Sequence, residues 1–385
     1  MLGLTTEDTF LDIGTTCAAP LAQTASLGLK QSAVRWLPSA VHPITGGALA
    51  LAGSWDECKN ELSAWSVLLT ESDDSAMDGS APRAPVAAQS VGAAPHEGCV
   101  LGLSVGAMSG KLVAYTASGA GGVCCYTVHI SDGGDVSLRP QWTDGNCAAA
   151  RARGLATLGV CYSAEAGVAA AGEDGVLSLL EPERGECAWR AQSNEPAIFD
   201  VCWWDQHTAV TAGTVLALWD VRAKAAAPQL VLTRAPSAEA HLAAQLLCVS
   251  SDPQPPYRLA AGASDGAVCL WDVRAASALA SAAATGTAPA AGTGVAPLRT
   301  IAAHAGDVWG VQLGSGPHGQ LLSCSSDGTL VAWQLGCDSV EGEEAGRPLV
   351  QLALPVNSLH LSAEHGWLAS ASDGGVLTFM DLRQF

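Results

Sequence analysis

Charge is what this sequence has least of. Asp, Glu, Lys and Arg make up 14% of its 385 residues, against about a quarter in ordinary globular chains, so much of the length must be buried. Cations are scarcest of all: 18 Lys and Arg face 37 Asp and Glu, a net charge of −19. Phosphate binding depends on Lys and Arg releasing counterions, so nucleic acid is a poor partner, and an anionic membrane is disfavoured for the same reason. A basic protein partner is compatible with this balance. No apolar run is long enough to span a membrane or to serve as a signal peptide, so no direct membrane insertion is expected. No N-x-S/T sequon occurs, and none of the 13 cysteines has C-x-x-C spacing. Adjacent Cys124 and Cys125 cannot easily share one tetrahedral metal, and the nine histidines are dispersed with no H-E-x-x-H. No metal, cofactor or catalytic residue is therefore expected. The thiols read as reduced and mostly buried in an intracellular protein.

What the chain has is a repeat. Its clearest copy runs from His304 to Trp333: an apolar strand (Val308 to Leu313), a turn, a second strand (Leu321 to Ser325), a tight Asp327-Gly328 turn, and a third strand ending at Trp333. Asp-Gly between two apolar runs is a strong hairpin signal, because Gly accepts the positive φ of the turn. Asp265-Gly266 leads to Trp271 and Asp373-Gly374 to Phe379 in the same six-residue frame; Asp174-Gly175 leads to Leu180. Thr211-Ala212-Gly213 leads to Trp219, Gly53 to Asp56 leads to Trp65, and His96 to Tyr126 supplies the faintest copy.

That makes seven units, near 33–70, 96–130, 155–190, 198–235, 243–275, 300–336 and 350–385. Segments 70–95, 131–153, 275–297 and 337–348 have no apolar period and read as loop insertions. The inner strands are near-continuous apolar runs, as in Leu330 to Trp333 and Ala267 to Trp271. That pattern suits small sheets covered on both faces by their neighbours. One such unit cannot bury two apolar faces alone, so the seven must close into a ring. The expected fold is all-β, a seven-bladed β-propeller over 33–385. Residues 1–32 form an N-terminal segment from which 21–30 supplies the outer strand that the last blade lacks, removing an open edge.

Leu218-Trp219-Asp220-Val221-Arg222 and Leu270-Trp271-Asp272-Val273-Arg274 resemble strand endings of the WD40 repeat family. In that family a His, a Ser, the turn Asp and the Trp form a hydrogen-bonded tetrad. The resemblance assigns these roles to His304, Ser323 or Ser325, Asp327 and Trp333. Arg35-Trp36, Gly53 to Asp56, Leu62 to Ser66, Gly172 to Gly175, Ala303-His304 with Trp309, Cys324 with Asp327-Gly328, and Ser358-Leu359 occur in order. Together they make most of the chain similar to the small WD40 nucleoporins of the Y complex, the outer ring of the nuclear pore. The resemblance implies a non-catalytic subunit at the nuclear envelope, monomeric as a propeller within a hetero-oligomer of Y-complex proteins and serving mRNA export and protein transport. The rival reading is a substrate receptor or histone-tail adaptor of another assembly.

Two motifs mimic chemistry. Gly262 to Gly266 matches G-x-S-x-G, but that nucleophile elbow needs a following helix and this copy sits in a hairpin. Gly314 to Gly319 matches G-x-G-x-x-G, but Pro317 interrupts it and no helix start follows to receive a phosphate. Asp174, Asp265, Asp327 and Asp373 recur once per blade, as turn devices do and a catalytic pair does not. For a partner-reading face the expected residues are Arg35, Trp55, Glu173, Asp307 and Trp309, at strand starts and turns where aromatics serve as binding anchors.

Overall fold

The computed structural model describes residues 23–26, 28–68, 87–143, 153–224, 227–234, 244–252, 257–274, 295–314, 320–335 and 346–382. Their chain order opens with β1 (Gln23–Ser26). The first blade then holds β2 (Gln31–Val41), β3 (Ala48–Ser54), β4 (Asn60–Leu68) and β5 (Ala87–His96); the second holds β6 (Val100–Met108), β7 (Lys111–Ser118), β8 (Val123–Ile130) and β9 (Val136–Thr143). The third comprises β10 (Thr157–Ser163), β11 (Gly167–Gly172), β12 (Val176–Leu180) and β13 (Cys187–Gln192); the fourth β14 (Asp200–Trp203), β15 (Thr208–Ala212), β16 (Leu216–Asp220) and β17 (Leu230–Leu232). The fifth has β18 (Leu246–Ser251), β19 (Arg258–Ala263), β20 (Ala267–Asp272) and β21 (Arg299–Ala302); the sixth β22 (Val308–Leu313), β23 (Gln320–Ser325), β24 (Thr329–Gln334) and β25 (Arg347–Gln351). The seventh is β26 (Val356–Leu361), β27 (Trp367–Ser372) and β28 (Val376–Asp381), completed by β1, which pairs antiparallel with β28 from Gln23↔Phe379 to Ser26↔Val376.

The first strand of each blade lies beside the first strand of the next, and β26 returns to β2. The ring is closed, and the core sits in the seams between blades. Each third strand sends one large side chain into the preceding seam: Trp65, Tyr126, Leu180, Trp219, Trp271, Trp333 and Met380. Small residues let the blades approach. A Cβ on Gly262 would meet Val308 of the next blade at 2.4 Å. Closure therefore rests on many modest burials repeated around the axis.

Two features depart from the repeat as read in sequence. The seventh-blade frame is shifted by one: Gly375, not Gly374, takes the positive φ of 66° and its N–H closes the turn on Ser372 O at 3.1 Å. Met380 accordingly fills the slot that Trp333 fills in the sixth blade, while Phe379 faces the first blade and packs against Trp36. The outer strands β5, β9 and β25 also fall in or across segments read as insertions 70–95, 131–153 and 337–348, and β21 belongs to the fifth blade, not the sixth. Outer strands cover one face only, so their apolar signal is weak; in β5 only Ala94 and His96 are buried. Residues 70–86, 144–152, 275–294 and 337–345 of the segments read as insertions lie outside the described residues, and Val273 and Arg274 take helical backbone.

Candidate functional site

The tetrad residues of the sixth blade meet. His304 Nε2 lies 2.7 Å from Ser323 Oγ, and Trp333 Nε1 donates to the same oxygen at 2.9 Å. His304 Nδ1 is 3.3 Å from Asp327 and 2.8 Å from Thr329 Oγ1. Ser325 stands apart and accepts the Asp327 N–H at 3.2 Å, inside the turn. Burial pushes the His304 imidazole down, against the pull of Asp327. Burial works to raise the Asp327 carboxyl, but hydrogen bonds from Thr329 and Ala305 outweigh it and hold it below the usual carboxylate value. Thr329 is a member that the sequence did not announce. In the second blade His96 Nε2 approaches Thr116 Oγ1 at 2.8 Å, and in the fourth Trp219 Nε1 donates to Thr211 Oγ1 at 3.0 Å. Thr thus stands in for Ser in both.

Asp174, Asp265 and Asp327 each accept the backbone N–H two residues on, at 3.1, 3.3 and 2.9 Å, the Asx geometry of a turn. Asp373, one position out of frame, instead accepts from Trp55 Nε1 at 2.9 Å and from Asn357 Nδ2 at 2.6 Å.

The upper end of the ring, where the inner strands begin, carries a cavity of about 580 Å³ on the axis, walled by all seven blades. Its shape comes from a recurrent irregularity. Pairing slips by one residue at Gln31/Ala33, Val100/Gly102, Thr157/Gly159, Leu246/Cys248, Val308/Gly310 and Val356/Ser358. Such a bulge leaves one residue unpaired and re-aims it. The unpaired residues Ser32, Leu101, Leu158, Leu247, Trp309 and Asn357 all line the cavity, and Phe199 completes the collar from the fourth blade. Of the expected partner-face residues, Arg35, Trp55, Glu173 and Trp309 line this cavity; Asp307 does not, and its carbonyl instead accepts the Ser326 N–H at 2.9 Å. Trp309 is 41% exposed, whereas Trp36 and Trp203 belong to the core. The apolar collar of Leu101, Leu158, Phe199 and Leu247 escaped the sequence because bulges leave no compositional mark.

Below the collar, side chains bridge the seams. Val34 N–H donates to Ser358 and Trp36 N–H to His360; Tyr162 N–H donates to Ser104, Val249 N–H to Asp200, Leu313 N–H to Ser250 and Leu361 N–H to Gln312, at 2.7 to 3.4 Å. Ser32 donates to Val100 O, and Trp203 Nε1 to Cys161 O at 3.3 Å. Every seam is tied, and edge groups that would otherwise be orphaned are satisfied. Burial raises the Asp200 carboxyl to about 6 in spite of its backbone hydrogen bonds and the attraction of Arg35. Burial lowers Arg35 and takes His360 down to about 3, with Arg35 adding to that effect. Among the described residues no group of three or more His, Cys, Asp or Glu is placed to hold a metal. The ten described cysteines are free thiols. Ser264 of the G-x-S-x-G match sits between β19 and β20 and accepts the Gln245 N–H at 3.0 Å, a turn contact. Residues 315–319 of the G-x-G-x-x-G match lie outside the described residues.

Comparison with known proteins agrees with this geometry. Residues 234–272 and 295–334 match the WD40 family (WD domain, G-beta repeat). Over 364 residues the chain is 23% identical to nucleoporin Nup43 of Homo sapiens, covering 89% of this chain and 85% of the relative, with the same figures for nucleoporin Nup43 of Mus musculus. A stretch of 82 residues, 21% of this chain and 26% of the relative, is 35% identical to a probable cytosolic iron-sulfur protein assembly protein CIAO1 homolog of Ixodes scapularis. The seven closed blades, the hydrogen-bonded quartet of the sixth and the two matched repeats show a seven-bladed β-propeller that carries WD40 repeats and is similar along most of its length to the nucleoporin Nup43.

Proposed function

We propose that this protein is a non-catalytic structural subunit of the nuclear pore complex, docking onto another nucleoporin of the outer-ring Y complex and so serving mRNA and protein transport. The observation that carries the reading is the extent of the likeness: it covers 85% of the human nucleoporin and 89% of this chain, so it spans the ring and is not confined to one repeat. The upper mouth is the docking face. Trp309 and Leu354 are exposed there, and the collar beneath gives an apolar anchor somewhere to go. The ring is closed before it binds, so little ordering entropy opposes association.

Tagging the endogenous protein and identifying what copurifies at moderate salt tests this. Recovery of Y-complex nucleoporins supports it, and a Trp309→Ala variant should recover fewer. Recovery of cullin adaptors or nucleosomes in their place would favour a substrate receptor or a histone-tail adaptor.

A further inference from the structure

The lower end of the ring carries a second cavity, also about 580 Å³, in the seam between the second and third blades. Three hairpin turns frame it: β6–β7, β10–β11 and β12–β13. Its lining is mixed and built from both blades, with Met108, Tyr162, Ala164 and Pro182 set among polar groups. The Tyr162 ring lies on the backbone of β6 where Gly106 leaves room, since a Cβ there would come within 2.5 Å of the ring. The Tyr162 hydroxyl donates to Ala107 O at 2.9 Å. Behind it Tyr115 stacks at 5.0 Å from Tyr162, and Trp142 at 5.8 Å from Tyr115.

The β12–β13 turn is fastened to this aromatic row. Trp142 Nε1 donates to Pro182 O at 3.0 Å, and the Tyr115 hydroxyl to the same oxygen at 3.3 Å. A turn of the third blade is thereby pinned to side chains of the second. The residues flanking Pro182, Glu181 and Glu183, are exposed at the lip of the cavity. Neither carboxylate has an ion pair among the described residues. Arg184 shares the lip, while Glu165 and Glu186 add acid on the same turns. The Tyr162 hydroxyl is already used, so the groove offers the Tyr162 ring face and the Met108 side chain beneath two exposed carboxylates on a fastened turn.

We infer that this groove binds a lysine- or arginine-bearing segment of a protein partner. The alkyl stem of the basic residue lies on Met108, Tyr162 and Pro182, and its cationic end sits between Glu181 and Glu183. Charge complementarity selects this occupant: the lip is net acidic on a chain of net charge −19, and an acidic or purely apolar segment would leave both carboxylates uncompensated as it displaced their water. The surface is at the opposite end of the ring from the upper mouth and binds independently of it.

Fluorescence anisotropy with a fluorescein-labelled peptide of alternating lysine and alanine, titrated with the full chain, tests the inference. E181Q/E183Q should weaken binding about five-fold. The charge-matched D132N/D135N pair, on the exposed β8–β9 turn of the same face, should change it by less than about two-fold. Trp309→Ala should leave it unchanged. A benzophenone on the peptide should crosslink to residues 107–109 or 181–184. Equal loss in both charge variants, no loss in either, crosslinks elsewhere, or no binding by the unaltered chain would overturn the proposal. Unchanged melting of the E181Q/E183Q variant, expected for exposed carboxylates without partners, shows that any loss is not unfolding. If the peptide binds as described but no nucleoporin copurifies with the tagged protein, only the pore assignment falls.

Discussion

Trp55 of the first blade donates its indole N–H to the carboxylate of Asp373 in the last, 2.9 Å away and 318 positions along the chain. Asn357 donates to the same carboxylate oxygen at 2.6 Å, so one side chain fastens the closing seam at its upper end. Asp373→Ala leaves two donors without their acceptor and is expected to cost about 1–3 kcal/mol in urea unfolding. Asp373→Asn, which keeps an acceptor, should cost less. Equal midpoints for the two variants would show that the contact does not fasten the ring.

The outer edge of that seam depends on β1. Removing residues 1–27 deletes it and bares the β28 edge from Val376 to Phe379. An exposed strand edge templates association. The truncated chain should melt lower by calorimetry and elute as larger species in size exclusion. An unchanged melting temperature together with a monomeric profile would refute this.

Ser323 is shared by His304 and Trp333, and Ser323→Ala strands both buried groups. A loss on the order of 2–4 kcal/mol is expected, since each orphaned group carries its own desolvation cost. Thr211→Val removes a single such acceptor, for Trp219, and should cost roughly half as much. Paired chemical-denaturation curves would compare them, and a larger loss at Thr211 would contradict the shared-oxygen account.

A buried carboxyl and two buried imidazoles set opposite pH slopes. The Asp200 carboxyl is raised in the fold from 3.8 to about 6, so the fold binds its proton more tightly than the unfolded chain does. Its contribution is complete below about pH 3.8 and is lost as pH rises through 6, on the order of 3 kcal/mol. His304 and His360 are lowered from 6.5, the latter to about 3, so their contribution is present above 6.5 and is lost as pH falls below that toward their folded values. Unfolding free energies measured from pH 4 to 7 should rise more steeply with pH in Asp200→Asn than in the parent, because the opposing contribution of the carboxyl is gone. Parallel profiles would rule out that contribution.

The inner three strands were most legible in the third, fifth and sixth blades, because strands covered on both faces announce themselves as apolar runs and there they are joined by Asp-Gly. Asp327, Gly328 and Trp333 needed no coordinates. Asp373 was misplaced by one position because Gly374 and Gly375 are both glycine and only the backbone decides which takes positive φ. The outer strand β5 was invisible for another reason: Ala87 to His96 covers one face, and Ala, Gly, Ser and Gln carry no period. At the site, Arg35, Trp55, Glu173 and Trp309 stood out as unusual residues at strand starts. Leu101, Leu158 and Leu247 did not, because a leucine gives no hint that a bulge has turned it toward the axis. The lower groove was unreadable since Tyr162 and Glu181 meet Met108 only when two blades are side by side.

The side chains that tie inner strand to inner strand have a consequence for anything entering the axis. Val34, Trp36, Tyr162, Val249, Leu313 and Leu361 already spend their amides on a neighbouring blade. An invading peptide meets a wall with those ladder positions taken, so it cannot lengthen a sheet by adding itself as a strand. Whatever is held there is chosen by the shape and chemistry of its side groups, and its main-chain conformation is left free to vary.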